Sequence, residues 1–374
     1  MMATLVTLFL CGDVMTGRGI DQILPVSNDP ALFESYVRDA RKYVAIAEKR
    51  NGPIPDAVDY RYPWGDALDV LEEIRPAARI VNLETSVTTS ADFWPRKGIH
   101  YRMHPGNVRL LSVARIDSCV LSNNHVVDLG FGGLLETLET LRQAGIKTAG
   151  AGENAARAAS PATIEIAPEI RLAVFGYGTE SSGVPPSWAA RSHSPGVNFL
   201  PNLSPGTASE TIKSIERQTR PEDLVIFSVH WGGNWGYDVP EEQIRFARML
   251  IDSGVVDVVH GHSSHHVRPL EVYRGKLILY GAGDFLNDYE GIEGNEGYRD
   301  DLALMYFPTL DLRTGRLVRL RMVPLQIFRF SLRRASVADA TWLSNNLNRE
   351  SSQFGTRVRL ENGRLEIELE PNRP

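Results

Sequence analysis

Short apolar runs rich in Val, Ile and Leu recur along the chain, and they constrain the fold more than any other sequence feature. They show little alternation of polar and apolar residues, which is typical of strands buried on both faces. We predict eight such strands, at residues 5–11, 79–83, 118–121, 163–166, 171–175, 224–229, 255–260 and 277–281. Residues 133–144 and 241–253 instead have apolar residues at helical spacing, each followed by a glycine that favours a helix end. The alternation of strands and helices predicts an α/β fold with helices layered on a sheet.

Composition and charge exclude several classes of protein. The 374 residues include 46 acidic and 40 basic ones, and the net charge of −6 argues against a dedicated nucleic-acid-binding protein. No segment approaches the roughly 18 consecutive apolar residues that indicate a membrane-spanning helix. We therefore expect a cytoplasmic protein with no nucleic-acid or membrane partner, and the sequence leaves the oligomeric state open. Cys11 and Cys119 are too few for a disulfide framework, and both fall in predicted strands, where small core side chains are expected.

Two segments depart from the strand–helix alternation. Residues 25–62 contain Pro, Asp and Tyr, and we interpret them as an insertion on the substrate side. After about residue 308 the sequence alternates, with a turn at residues 313–315, which predicts an antiparallel hairpin. We accordingly divide the chain into a main domain, residues 1–307, and a C-terminal hairpin and tail, residues 308–374, packed on it.

Residues able to bind a metal or transfer a proton lie at or just after the ends of six of the eight predicted strands: Asp13, Glu84, Asn124 with His125, His230, His260 with His262, and Asp284. Because ligands of open α/β sheets bind outside the carboxyl ends of the strands, we expect these side chains to converge. A single Asp or Asn in such a place is usually a helix cap, but capping does not account for the whole set. A cluster of imidazole, amide and carboxylate groups without thiolates favours a divalent ion such as Zn, Mn, Fe or Ca.

Seven segments of the sequence resemble the CapA family, named for a capsule and poly-γ-glutamate biosynthesis protein. They are GDVMTGR at 12–18, NLETS at 82–86, SNNH at 122–125, AGIKTAGAG at 144–152, VHWG at 229–232, GHSSHHV at 261–267 and YGAGDF at 280–285. The family is similar in turn to calcineurin-like metallophosphoesterases. The resemblance therefore implies a four-layer α/β/β/α sandwich with a metal site at the carboxyl ends of the strands.

The resemblance also implies a set of metal ligands. One metal's ligand positions are occupied by Glu84, Asn124, His230 and His262. The other metal's ligand set is depleted, because Met15 and Ser264 stand where the phosphoesterase pattern has histidines. The resemblance thus implies one divalent ion, either Ca, Mn or Zn.

Acid–base and substrate-binding residues complete the predicted site. The candidate catalytic residues are Asp13, His125, His265, His266 and Asp284. Asp13 with His125, and Asp284 with His265 or His266, are candidate pairs, and the sequence leaves the choice open. The candidate substrate contacts are Arg18 and Arg102, which could bind a carboxylate, and Trp231 and Trp235, which could form an apolar wall.

The predicted chemistry is proton transfer on a peptide substrate. A single metal ringed by His and Asp pairs suits deprotonation of a carbon beside a carbonyl. The CapA family includes a peptide Cα-epimerase of lasso-peptide biosynthesis, so the resemblance implies a metal-dependent peptide epimerase. Two alternatives remain open, a metallophosphoesterase-type hydrolase and a non-catalytic accessory protein of poly-γ-glutamate or capsule synthesis.

Overall fold

The computed structural model describes residues 5–369, in which strands and helices are joined by loops. The strands are β1 (Leu5–Val14), β2 (Ala78–Leu83), β3 (Ser86–Val87), β4 (Arg102–Met103), β5 (Ser118–Val120), β6 (Lys147–Ala149), β7 (Ala151–Gly152), β8 (Ala162–Ala167), β9 (Ile170–Thr179), β10 (Gly196–Val197), β11 (Phe199–Leu200), β12 (Leu224–His230), β13 (Val258–His262), β14 (Leu270–Tyr273), β15 (Lys276–Leu279), β16 (Asp284–Leu286), β17 (Leu302–Asp311), β18 (Leu317–Phe328), β19 (Ser331–Arg334), β20 (Val358–Glu361) and β21 (Arg364–Ile367). The helices are α1 (Arg18–Ile23), α2 (Arg41–Asn51), α3 (Asp66–Ile74), α4 (Arg109–Val113), α5 (Gly130–Gln143), α6 (Ala155–Ala158), α7 (Pro205–Glu216), α8 (Glu241–Asp252) and α9 (Val337–Ser351).

Two large sheets organise the described residues. The first contains ten strands in the order β20-β21-β18-β17-β1-β2-β5-β6, with β16 paired to β1 and β19 to β18. The second contains seven, in the order β11-β9-β12-β13-β15-β14, with β8 paired to β9. Strands β1, β2, β5 and β6 run parallel, as do β9, β12, β13 and β15, so their carboxyl ends share one edge in each sheet.

The sheets stack face to face, and helices cover both outer faces. Leu10 of β1 and Ile226 of β12 belong to one apolar cluster between the sheets. Phe9 packs with residues of α3 and α5 on one outside, whereas Phe227 packs with residues of α7 and α8 on the other. This arrangement confirms the predicted α/β/β/α sandwich, because each strand buries side chains on both faces.

All eight predicted strands exist, and several extend further than predicted, to the polar residues that follow the apolar runs. The predicted helices correspond to α5 and α8. The hairpin is also confirmed, because β17 and β18 pair antiparallel. The proposed boundary between residues 307 and 308 falls inside β17, which pairs with β1, so this hairpin is continuous with the first sheet.

Cys11 and Cys119 are buried free thiols. Among residues 5–369, no helix combines the length and apolar character needed to cross a bilayer.

The insertion at residues 25–62 contains α2 and is held to the core by the buried side chain of Arg18. Its Nη1 donates to Glu34 Oε1 at 3.1 Å and to the hydroxyl of Tyr43 at 2.9 Å. Its Nε donates to Asp288 Oδ2 at 3.1 Å, and a second nitrogen contacts the other oxygen of Asp288. Arg18 thus joins the insertion to the segment that follows β16, with both carboxylates buried.

We predict that Arg18→Ala lowers the free energy of unfolding by about 3–5 kcal/mol, because it leaves two buried carboxylates without their cation. Chemical denaturation of wild type and variant measures this change. Arg41→Ala is the control, since Arg41 forms an exposed ion pair with Asp39 and its loss is expected to leave the midpoint unchanged. Equal losses in both variants would contradict the interpretation.

Candidate functional site

The strand ends bring five of the predicted site residues together between the two sheets. Asp13 near the end of β1 is level with Asp284 at the start of β16, and His230 of β12 is level with His262 of β13. Glu84 follows β2, and its backbone N–H donates to the carbonyl of Val14 at the end of β1. All five side chains are buried.

A close approach of two glycines allows the alignment of Asp13 with Asp284. A Cβ atom on Gly12 would lie 1.6 Å from the carbonyl oxygen of Gly283, so no larger residue fits at this crossing. The N–H of Asp13 donates to that same carbonyl at 2.9 Å. Gly283 also has φ of +79°, a conformation that glycine adopts without strain.

Asp13 belongs to two groups of side chains that could hold a metal ion. One consists of Asp13, His230 and His262, and the other of Asp13, His265 and Asp284. Within each group the ligand atoms lie within 4.8 Å of one another, and every member is buried. Asp13 was predicted as an acid–base residue, and it stands where it can also be a ligand.

The four predicted metal ligands lie on two sides of the His230 ring. Asn124 Oδ1 is 3.0 Å and Glu84 Oε1 is 3.8 Å from Nε2 of His230. Nδ1 of His262 is instead 2.8 Å from Nδ1 of His230. Asp13 lies on this second side, with Oδ1 at 3.9 Å from Nδ1 of His262. Asp13 and His262 therefore face one nitrogen of His230, and Asn124 and Glu84 face the other.

Hydrogen bonds from neighbouring polar groups fix the orientation of Asp13. Asn82 Nδ2 donates to its Oδ1 at 2.7 Å, and the backbone N–H of Ser263 donates to its Oδ2 at 3.1 Å. Both partners were absent from the predicted site. Asn82 lies two residues before Glu84, and Ser263 falls inside the His-rich loop with φ of +104°.

A hydroxyl group orients the histidines of β13. Ser228 Oγ lies 3.0 Å from Nε2 of His262 and 3.0 Å from Nδ1 of His260. Nε2 of His260 donates to the backbone carbonyl of Cys11 at 2.8 Å. Both ring nitrogens of His260 thus have protein partners. His260 therefore orients His262 indirectly, by way of the Ser228 hydroxyl.

Two His–Asp pairs lie beside the buried carboxylates. Nδ1 of His265 is 2.9 Å from Asp284 Oδ1, so of the two candidate partners Asp284 pairs with His265. Nδ1 of His125 is 2.6 Å from Asp128 Oδ2, and Lys97 Nζ is 2.7 Å from the other oxygen of Asp128. His125 thus pairs with Asp128 rather than with the candidate partner Asp13. The sequence analysis did not select Asp128, although its position three residues after His125 could have indicated this pairing.

His266 lies in an aromatic cluster instead. Its ring stacks on Trp235 with an interplanar angle of 9° and packs against Tyr237 and Tyr298. Its Nδ1 is 3.2 Å from the carbonyl oxygen of Val267, and its Nε2 has no hydrogen-bond partner within residues 5–369.

The predicted substrate contacts are placed in different environments. Trp231 is fully buried in the core of the second sheet, and its indole N–H donates to the carbonyl of Tyr280 at 3.0 Å. Arg18 is buried in the ion pairs described above. Arg102 donates to two backbone carbonyls, at 2.9 Å each. Trp235 is half-buried and packs against His265, with ring centroids 5.6 Å apart. Trp235 thus packs against two predicted catalytic residues, His265 and His266.

Electrostatics of the site fit a divalent cation. Burial, reinforced by Asp284, raises the pKa of Asp13 to about 7, and burial together with Asp13 raises the pKa of Glu84 well above its usual value. Burial also lowers the pKa values of His230 and His262, which keeps both imidazoles neutral, the form that binds metals. A bound cation would relieve the repulsion among the carboxylates, and the nitrogen and oxygen donors suit Zn or Mn.

A cavity of about 760 Å³ adjoins the His265 side of the site. Asn287 and Tyr289 line it, and each also contacts the site. Asn287 Nδ2 donates to Asp284 Oδ2 at 2.8 Å, and the Tyr289 hydroxyl is 3.4 Å from Nε2 of His265. Helix α2, residues 287–301 and strands β18 and β19 contribute the other lining residues. The cavity is therefore separated from the buried site by one layer of side chains.

The sandwich fold, with a buried His–carboxylate cluster at its strand ends, defines a calcineurin-like α/β protein with a candidate metal site. The chain belongs to the family described as bacterial capsule synthesis protein PGA_cap, whose model matches residues 7–289. It is 48% identical over 354 residues to a protein of Mycobacterium tuberculosis (strain CDC 1551 / Oshkosh) named probable polyglutamine synthesis accessory protein, covering 94% of this chain and 93% of that one. It is 26% identical to the PGA biosynthesis protein CapA of Bacillus subtilis (strain 168), covering 84% and 70% of the two chains. The predicted CapA resemblance is confirmed.

We predict that Zn²⁺ or Mn²⁺ raises the melting temperature of metal-free protein by several degrees, because an ion that binds only the folded state stabilises it. EDTA should reverse the shift, and differential scanning calorimetry measures both. His230→Ala is expected to abolish the shift. His193→Ala is the control, since His193 is exposed in a loop, and an unchanged shift in His230→Ala would contradict metal binding at this site.

Proposed function

We propose that this protein is an accessory protein in the synthesis of a polyglutamate- or polyglutamine-type polymer, and that it acts through a divalent metal ion at the buried His–carboxylate site. The names of the relatives support the first part, since they refer to polyglutamine synthesis and PGA biosynthesis. They support the accessory-protein alternative better than the peptide epimerase, which none of the names quoted above mentions. The single structural observation that carries the proposal is the position of Asp13 within ligand reach of four other buried side chains.

The residues that would hold the ion are Asp13, His230 and His262, with Glu84 beside them. Bound there, a divalent ion supplies a positive charge that can attract a carboxylate or polarise a carbonyl group. The protein's own contribution is orientation: Asn82 and Ser263 fix Asp13, and Ser228 fixes His262.

The adjoining cavity is the proposed contact surface for the polymer. Lys49 and Arg50 at the end of α2 are exposed on its wall. Arg333 of β19 stacks over Phe328, with Cζ 3.6 Å from the ring centroid, and its guanidinium donates to Gln326 at 2.7 Å. These three cations come from two elements and could bind successive carboxylates of an extended chain.

The acidic residues of the cavity are largely engaged by the protein. Asp301 pairs with Arg299 at 2.7 Å, and Glu290 accepts hydrogen bonds from the backbone N–H groups of Arg329 and Phe330. Glu293 and Glu296 are also exposed among the lining residues. The lining therefore carries exposed cations and exposed carboxylates together, and an anionic chain would lie along the cations.

We predict that the protein binds polyglutamate more tightly than polyglutamine of equal length, with affinity falling as salt is added, because exposed ion pairs are screened. Replacing Lys49, Arg50 and Arg333 together by Ser should weaken polyglutamate binding about tenfold, the size expected of three exposed pairs. Fluorescence anisotropy with labelled polymers measures both effects.

The matched control removes three exposed charges elsewhere, at Lys147, Lys213 and Arg217. It is expected to bind polyglutamate like the wild type. If both triple variants lose affinity equally, the attraction is a general charge effect and the cavity is not the contact surface. If the wild type binds neither polymer, the proposed role in polymer synthesis is wrong.

Acid–base catalysis on a glutamyl peptide is a second candidate function, favoured by one specific observation. The His265–Asp284 and His125–Asp128 pairs lie beside the buried carboxylates of Asp13 and Glu84. Burial opposes the charge on His265, but the Asp284 carboxylate outweighs it, so the pKa of His265 is raised. A His–carboxylate pair of this kind can hold and return a proton.

For this second candidate we expect deuterium to enter the α-position of a glutamyl peptide when metal-loaded protein is incubated in deuterated water. Mass spectrometry and NMR detect the exchange. His265→Gln should abolish it, whereas His266→Ala, which alters only the adjacent aromatic cluster, should retain it. No exchange with the wild type would eliminate catalysis at carbon and leave the polymer-binding proposal intact.

A further inference from the structure

We propose that Arg268 and Gln243, on either side of a space beside Gly232, form a pocket that binds a carboxylate. None of these three residues lines the cavity described above. The inference rests on the proposed function only for the source of the carboxylate, which is either a residue of the polymer or a free small acid. Two observations carry it: a buried guanidinium with an unpartnered nitrogen, and a space that a side chain at position 232 would fill.

Within residues 5–369, the guanidinium of Arg268 is buried without forming an ion pair. The residue is 5% exposed, its Nη2 donates to the backbone carbonyl of Asp238, and its Nε has no hydrogen-bond partner. Burial lowers the pKa of Arg268 to about 10, and the exposed carboxylate of Asp238 opposes this shift only in part, so the group stays charged at neutral pH. A buried charge without a partner of opposite sign is costly, which favours a bound anion.

The other buried arginines of the described chain have more partners than Arg268. Arg18 pairs with the carboxylates of Glu34 and Asp288. Arg79 donates from Nη1 and from Nη2 to two backbone carbonyls. Because a guanidinium carries five N–H groups, Arg268 keeps donors available that Arg18 and Arg79 use within the protein.

Two glycines shape the space around this guanidinium. Gly281 lets the arginine stem pass close to the backbone, since a Cβ atom there would lie 2.8 Å from Cδ of Arg268. A Cβ atom on Gly232 would lie 3.3 Å from Nη1 of Arg268 and 2.9 Å from Nε2 of Gln243, so both nitrogens border the same space. Gln243 is 2% exposed, and its Oε1 has no partner within the described residues. Two N–H-bearing groups thus face one position, an arrangement that suits the two oxygens of a carboxylate.

The pocket is joined to the candidate metal site through a single residue, Ser263. The carbonyl of Gly232 accepts from Ser263 Oγ at 3.2 Å, and the backbone N–H of Ser263 donates to Asp13 Oδ2 at 3.1 Å. Gly232 also lies two residues after His230. A carboxylate bound to Arg268 would therefore be held beside the loop that supports the candidate ligands, which assigns one side chain of the polymer a place near the ion.

The test is the melting temperature of the full, metal-free chain in glutamate, oligoglutamate or sodium chloride at equal ionic strength. The wild type should show a saturable rise of several degrees with glutamate and with oligoglutamate but not with chloride, because a ligand that binds only the folded state stabilises it. Arg268→Met should lose this rise. Gln243→Glu should lose it too and should melt above the wild type without ligand, because the new carboxylate pairs with Arg268.

Arg248→Met is the matched control, because Arg248 already pairs with Glu271 at 2.8 Å, and it should keep the rise. Oligoglutamate acting at lower concentration than glutamate would assign the carboxylate to the polymer, whereas equal action would assign it to a free acid. No rise in the wild type would overturn the pocket, as would a rise that persists in Arg268→Met.

The triple variant of Lys49, Arg50 and Arg333 separates this pocket from the proposed polymer-binding cavity. A glutamate response that is lost in the triple variant and kept in Arg268→Met would overturn the pocket and leave the cavity proposal intact. Loss of the response in Arg268→Met and in Gln243→Glu supports the pocket even if the cavity binds no polymer.

Discussion

The burial of several carboxylates between two sheets is the constraint around which this structure is arranged. Asp13, Glu84 and Asp284 lie where β1, β2 and β16 meet, and taking ionised carboxylates out of water is unfavourable unless they are paired or bind a cation. The surroundings supply donors at short range: Asn82 and Ser263 for Asp13, and Asn287 for Asp284. These donors lower the cost but carry no positive charge, and a cation of the kind proposed for this site would offset the remaining cost.

The neighbouring layers also depend on this meeting point. Gly12 and Gly283 allow β16 to approach β1, and His260 of the second sheet donates to Cys11 of the first. The two sheets are therefore held together by a hydrogen bond next to the candidate ligands, as well as by the apolar cluster between the sheets. Such rigid support keeps ligand atoms in place without the ion, since strand ends move less than loops.

Much of the fold could be predicted because buried parallel strands have a strong composition signal. The runs at 224–229 and 171–175 became β12 and β9, and their ends brought His230 to the site. Helix α9 was missed, since only a minority of its residues are buried and the preceding hairpin dominated the interpretation of the tail. The family resemblance identified most of the candidate ligands but gave no information on ring orientation. That His262 faces one nitrogen of His230 while Asn124 faces the other depends on side-chain torsions, which no sequence pattern specifies.

The segment after β16 links the site to the surface, and this link determines how a long polymer could reach a buried centre. Asp284 pairs with His265, Asn287 holds Asp284, Asp288 binds Arg18, and Tyr289 lines the cavity. Arg18 in turn holds the insertion whose helix α2 carries Lys49 and Arg50. A change in the position of α2 would therefore be transmitted through Arg18 and Asp288 to the residues beside Asp284. Helix α2 of the insertion thus lines the cavity that an anionic chain would contact, and Arg18 and Asp288 connect it to the candidate metal ligands. Because of this connection, we expect a polymer in the cavity and an ion at the candidate site to affect each other's binding affinity.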